Sequence, residues 1–170
     1  MTESYCQLDI FNDGFKECAV ELSAHEQKII RDAFRILERT LRKPGAAMSK
    51  PELVSNYLKL TIAAKPHEVF TVMFLDNQNS LIETQEMFRG TINQASVYPR
   101  EIVKEALRLN ASGCILAHNH PSGITEPSEC DKVITQKIKQ ALELIEVRTL
   151  DHIVIGGTAH MSFAERGLMP

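Results

Sequence analysis

A chain of 170 residues with 44% apolar and 24% charged side chains is long enough for one domain with its own core, and is neither disordered nor fibrous. Its net charge of −3 argues against a strong general attraction to nucleic acid and leaves only a local basic patch as a route to it. No apolar run approaches the length of a membrane span, "MTESYCQLDIFNDGF" has no secretory-signal pattern, and Cys6, Cys18, Cys114 and Cys130 form no Cys-x-x-Cys pair, so a reduced, cytoplasmic protein is expected.

Residues 1–21 have no clear period and are expected to form a loosely structured arm. "LSAHEQKIIRDAFRILERTLRK" opens with Ser23 and Glu26, a capping box, and continues with Ile29, Ile30, Ala33, Phe34, Leu37 and Leu41 at helical spacing until Pro44-Gly45. "SKPELVSNYLKL" repeats the start signal, with Ser49 as the expected cap and Pro51 in the first turn. From Glu68 the pattern changes. "EVFTVMFLD" is apolar at successive positions, as suits a strand covered on both sides. After the turn "DNQN", the run "SLIETQEMFRGTIN" reads as one or two further strands bending at Gly90.

"YPREIVKEALRLN" predicts a helix with Ile102, Val103, Ala106, Leu107 and Leu109 facing inward, and "SGCILAH" a short buried strand. Ser128 can cap the helix "ECDKVITQKIKQALELI", whose core face holds Val133, Ile134, Ile138, Ala141, Leu142 and Ile145. "RTLDHIVIGG" and "AHMSF" close the chain as a hairpin around Gly156-Gly157. The order αα-βββ-α-β-α-ββ is that of an α/β protein, a mixed sheet with helices packed on its faces.

The segment joining the buried strand to its helix, "HNHPSGITEPSECD", holds two of the six histidines. Paired histidines are usually accidental, and Ser-x-x-Asp is a common cap. Together they say more. At a strand end, positions i and i+2 project to the same side, so His118 and His120 can aim at one point. The turn reverses the chain, and Asp131 in the first helical turn can return a carboxylate to that point. Two imidazoles and a carboxylate suit zinc, and three protein ligands leave a fourth position for water, the pattern of a catalytic site. A zincin would need H-E-x-x-H, and a zinc deaminase H-x-E with P-C-x-x-C; neither is present. The letters "HNH" do not make the nuclease of that name, whose residues are spread over a longer ββα unit and which normally carries a strongly basic surface.

The H-x-H-P…S-x-x-D pattern resembles the JAMM signature of the JAB/MPN metallopeptidases. "EVFTVMFLD", "FRGTINQASVYPREIVKEAL", "ILAHNHPSG", "EPSECD", "LDHIVIGG" and "SFAERGL" resemble, in order, blocks of its RadC-like branch, over about residues 50 to 170. Asn119 departs from the Ser or Thr usual in the deubiquitinating members. The resemblance implies a cytidine-deaminase-like α-β-α sandwich, with residues 1–48 as arm and helix and 49–170 as the metal-binding domain. It also implies Zn2+ on His118, His120 and Asp131, with Ser128 helping to hold a tetrahedral intermediate. A glutamate at the start of the first strand would be the general base, which maps to Glu68, with Glu86 as rival. His152 is expected as a satisfied sheet histidine, with a supporting place behind the ligands as the alternative. The helix-hairpin-helix domain of full-length RadC proteins is expected to be missing, residues 22–43 resembling its last helix at most.

The expected function is therefore zinc-dependent hydrolysis of an amide or isopeptide bond in a peptide or isopeptide substrate. The alternatives are a DNA-repair or mobile-element-associated factor with a structural or silent metal, and a catalytically dead scaffold. Arg35, Arg39, Arg42 and Lys43 lie interleaved with core positions on one helix, so weak or no nucleic-acid binding is expected, and no membrane association. Substrate identity and oligomeric state stay open.

Overall fold

The structure is a computed structural model that describes residues 23–90 and 97–170. The expected arm, Cys6 and Cys18, and the strand residues past Gly90 lie outside the described residues.

Helix α1, Ala24–Leu41, starts at the expected capping box: Glu26 N donates to Ser23 Oγ at 3.3 Å and Ser23 N to Glu26 Oε2 at 2.8 Å. Its inward stripe is narrower than expected. Phe34 and Leu41 are buried, but Ile29 is exposed. Helix α2, Ala46–Ser49, is a single turn that no sequence period marks. It changes the role of Ser49, whose hydroxyl donates back to Gly45 O at 2.8 Å instead of capping the next helix. Helix α3, Pro51–Ile62, has Lys50 at its cap position, without a side-chain cap bond, and begins on Pro51, which has no N–H to satisfy. Among the described residues three helices, not two, therefore precede the first strand.

Strands β1 (Val69–Leu75), β2 (Leu81–Arg89), β3 (Gly113–Asn119), β4 (Arg148–Gly156) and β5 (Ala159–Ser162) form one sheet in the order β2-β1-β3-β4-β5. Only β3 and β4 are parallel, joined by the crossover helix α5, Glu129–Glu143; helix α4, Pro99–Arg108, lies between β2 and β3 in the chain. The expected mixed α/β sheet with flanking helices is what forms.

Alternation along the central strands divides the chemistry. Val69, Met73 and Leu75 of β1, with Ile115 and Ala117 of β3, pack toward α1 and α3. Phe70, Val72 and Phe74, with Cys114 and Leu116, pack toward α4 and α5. Both faces are covered, which is why β1 and β3 are buried at every position. Leu107 and Val133, expected inward, are exposed, because the apolar stripes of α4 and α5 centre instead on Ile102 with Ala106 and on Ile138 with Leu142. Among the described residues no helix is long and apolar enough to cross a membrane.

Candidate metal centre

His118 ends the part of β3 that faces α5, and His120 lies two residues on. The chain is tied down as it leaves the sheet: His120 N donates to Ile155 O of β4 at 2.8 Å, and Gly123 N donates to His120 O at 2.9 Å. Gly156 of β4 lies against this loop so closely that a Cβ there would sit 2.4 Å from Gly123 O. The loop leads to Ser128, which caps α5. Its hydroxyl accepts from Asp131 N at 3.2 Å, while Asp131 Oδ2 accepts from Ser128 N and Oγ, each at 2.7 Å. The capping box thus holds one carboxylate oxygen and aims the other, Oδ1, at His118 Nε2, 3.5 Å away.

His118 Nε2 and His120 Nε2 are 3.0 Å apart, and Asp131 Oδ2 lies 3.9 Å from His120 Nε2. One ligand atom from each of the three residues lies within 4.8 Å of the others. Their hydrogen-bonding states can be read from the far side of each ring. His120 Nδ1 is 2.6 Å from Ile124 O, a carbonyl that can only accept, so Nδ1 carries a proton, and in the neutral ring the lone pair is on Nε2. His118 Nδ1 is 2.8 Å from His152 Nε2, and His152 Nδ1 is 2.6 Å from Thr135 Oγ1. Burial holds His118 down to about 4, with Asp131 acting against it and His120 in the same direction as burial. Burial holds His152 well below the ordinary histidine value as well, so both rings are neutral near pH 7.

These residues fit a divalent cation. Two imidazole nitrogens and a carboxylate oxygen face one another at separations that two ligands, each about 2.0–2.2 Å from one zinc ion, would span. A cluster of acceptors turned inward, backed by a buried histidine, is poorly satisfied without a positive charge between them.

The three side chains open onto a cleft of about 600 Å³ lined also by Glu68, Phe70, Val97, Ser128, Val133 and Lys137. Glu68, just before β1, is half-buried, and burial raises its carboxyl above the usual range, opposed by His120 and reinforced by Asp131. Glu86 is elsewhere. It pairs across the strands with Thr71, whose neighbours in β1 alternate toward α3, and its carboxylate meets Lys65 Nζ at 3.5 Å and Arg89 Nε at 3.3 Å. Of the two glutamates, only Glu68 shares the cleft with the histidines.

One neighbour of the cluster, Asn119, was not evident from sequence, and another, His152, was expected beside it only as an alternative. Asn119 turns to the face opposite His118. Its Oδ1 accepts from Val69 N at 2.8 Å, and its Nδ2 donates to Lys65 O and His67 O at 3.2 and 3.1 Å. It therefore fixes the backbone on both sides of Glu68. His152, expected as a satisfied sheet histidine, is fully buried with its ring nitrogen 2.8 Å from His118 Nδ1, and Thr135 behind it is fully buried as well. A parity count along β4 marks His152 as facing α5, but not what it would meet there.

A mixed α/β domain with a His-His-Asp cluster at one end of its sheet defines a class with a metal-binding capacity. The RadC-like JAB domain matches residues 48–168, and the chain belongs to that family. It is 47% identical over 149 residues to the UPF0758 protein YkfG of Escherichia coli strain K12, an alignment covering 88% of this chain and 94% of that one. A UPF0758 protein of Vibrio cholerae is 50% identical over 144 residues, 85% of this chain and 90% of that one. UPF0758 protein Mpe_A2695 of Methylibium petroleiphilum is 60% identical over 119 residues, 70% of this chain and 54% of that one. The chain thus spans nearly all of the first two relatives and about half of the third. None of these names states an activity.

Proposed function

We propose that this protein is a zinc-dependent hydrolase of amide or isopeptide bonds, with His118, His120 and Asp131 holding the ion. The observation that carries the reading is the meeting of three inward-facing acceptors with a carboxylate, Glu68, in a single cleft. A buried structural zinc would call for a closed set of four ligands, whereas three beside an open cleft leave room for a reactant.

Zinc, when bound, supplies a Lewis acid that polarises the scissile carbonyl and lowers the pKa of water. The chain's own groups do the rest. Glu68 receives the proton that water gives up as it attacks, and passes it to the leaving amine nitrogen. Its raised proton affinity suits it to both halves of that transfer. Ser128 Oγ, whose proton rests on Asp131 Oδ2, turns toward the carbonyl oxygen as negative charge grows there. Phe70, Val97 and Val133 give the cleft an apolar wall that keeps bulk water off the reacting groups.

Metal analysis and amide hydrolysis together test this. The purified protein should carry about one zinc per chain, as expected for a single three-ligand site. His118→Ala, His120→Ala and Asp131→Ala should each abolish the zinc while leaving the fold intact. Against a panel of coumarin amides and an ε-lysyl isopeptide, Glu68→Gln should keep the zinc and lose turnover. Full zinc in the double-histidine variant, or unchanged turnover in Glu68→Gln, would refute the assignment.

A further inference from the structure

The mechanism above uses neither His152 nor Thr135, yet both are polar, fully buried, and lined up behind His118. Buried polar groups of this kind are costly to leave unmatched, so the direction of each hydrogen bond can be deduced in turn. Thr135 Oγ1 lies 2.5 Å from Asp131 O, and a carbonyl only accepts, so the single hydroxyl proton of Thr135 goes there. The hydroxyl oxygen then has lone pairs alone to offer its other neighbour, and His152 Nδ1, at 2.6 Å, must be the donor. A neutral imidazole protonated at Nδ1 presents a lone pair at Nε2. That lone pair accepts the Nδ1–H of His118 at 2.8 Å, which leaves the lone pair of His118 on Nε2, directed at His120 and Asp131.

The chain of bonds starts at the Asp131 backbone and returns beside the Asp131 carboxylate, passing through α5, β4 and β3. The rings along it have little freedom to turn. His152 stacks on Phe163 with centroids 4.8 Å apart and meets Phe70 edge-on at 5.5 Å. We infer that Thr135 and His152 are positioning residues for the metal. They fix His118 as the Nδ1–H tautomer, so that Nε2 is free to ligate, and they tie the first turn of α5, which carries Asp131, to the same ring. This rests on the reading that His118, His120 and Asp131 hold a metal ion. An isolated core histidine would not show this alternation of donors and acceptors ending on a ligand.

The sharpest test is Thr135→Val, which keeps the shape and leaves the cleft lining and the side chains of His118, His120 and Asp131 in place. Without the hydroxyl, His152 Nδ1–H loses its acceptor and the ring can carry its proton on Nε2 instead. That proton would point at His118 Nδ1 and move the His118 proton to Nε2, where it blocks ligation. Zinc and cobalt(II) affinities, measured by competition with a chromophoric chelator, should fall about 10- to 100-fold, the usual cost of losing a partner behind a metal ligand. Thr135→Ser should restore near-wild-type affinity, and His152→Gln, able to accept and donate in the same two directions, should fall between. Long-range 1H–15N correlation spectra of the metal-free wild type should show His118 and His152 both protonated at Nδ1, a readout that needs no variant to fold.

Thr135→Val binding zinc within twofold of wild type, or His118 protonated at Nε2 in the metal-free protein, would overturn the inference alone. A wild type that binds neither ion would overturn the metal reading and this inference with it.

Discussion

Asn119 is the residue whose removal should be felt furthest from its own position. It makes three hydrogen bonds to backbone 50 or more residues away, and it is buried to 1% exposure. In Asn119→Ala the N–H of Val69, a residue wholly buried, loses its acceptor at a cost of about 1–3 kcal/mol. The carbonyl of Lys65, also buried, adds roughly 1 kcal/mol, whereas His67 is half-buried and its carbonyl can turn to water. The expected loss is therefore about 2–4 kcal/mol, or roughly 5–15 °C in Tm for a domain of this size. Urea unfolding of the metal-free protein, followed by circular dichroism at unchanged m-value, measures it. Asn119→Asp makes a finer test. The new carboxylate can still accept from Val69 N but faces two carbonyls, so it should destabilise at pH 8 and recover partly as acid protonates it. Both variants should retain zinc and lose turnover, since Asn119 holds the strand before which Glu68 lies. Asn119→Ala unfolding within about 0.5 kcal/mol of wild type would show that these bonds do not anchor the start of β1.

Three more outcomes follow from the same structure. Gly156→Ala forces a methyl group against Gly123 O and C, at 2.4 and 2.7 Å, neither of which can yield without moving the His120 loop. It should weaken zinc affinity about 10-fold or more through overpacking of about 1–3 kcal/mol, and unaltered affinity would show that the loop adjusts freely. Alkali should destabilise the fold, because burial pushes Cys114 and Tyr57 each up to about 12, the Thr84 hydroxyl partly opposing it at Tyr57. Folded values raised above unfolded ones mean stability that is complete below about pH 9 and lost toward pH 12, on the order of 3 kcal/mol at pH 11 from Cys114 alone; a denaturation series in which Cys114→Ala shows the same slope as wild type would remove that cause. Duplex DNA should bind only weakly and without sequence preference, since Arg35 and Arg42 are already engaged by Asp32 and Glu38. Tight, sequence-specific, zinc-independent binding in a mobility-shift titration at physiological salt would instead favour a repair-factor role over hydrolysis.

What was legible in the sequence was local. His118 and His120 at i and i+2, the Ser128–Asp131 box and the glutamate before an apolar strand are all spacings that secondary structure turns directly into direction. What was not legible was contact between distant segments. Nothing about Asn119 shows that its amide will meet residues 65–69, and nothing in "LDHIVIG" shows that a threonine 17 residues earlier will lie behind the histidine. Ser49 misled for a related reason. A serine ahead of a proline reads as a cap, but Gly45, at φ 72, begins an extra turn, and the hydroxyl is used within it. Val133 reads as core by period, yet it lines the cleft, where an apolar side chain is wanted on the outside of the helix.

The antiparallel register of β1 on β3, with Phe70 opposite His118, also sets where this chain can change length. Because side chains alternate, one residue gained or lost inside β3 would turn His118 toward α3 and bring Asn119 into the cleft, removing a member of the cluster and a backbone anchor in one step. Insertions near Gly123 meet Gly156 instead. The turn at 76–80 is different. It joins β1 to β2 at the Gly113 end of the sheet, away from the histidines, and among the described residues its one backbone bond to the helical layer is Gly45 N to Gln78 O at 2.6 Å. That turn is where a fluorophore, an epitope or a whole inserted domain can be placed with the His118, His120 and Asp131 cluster left in register.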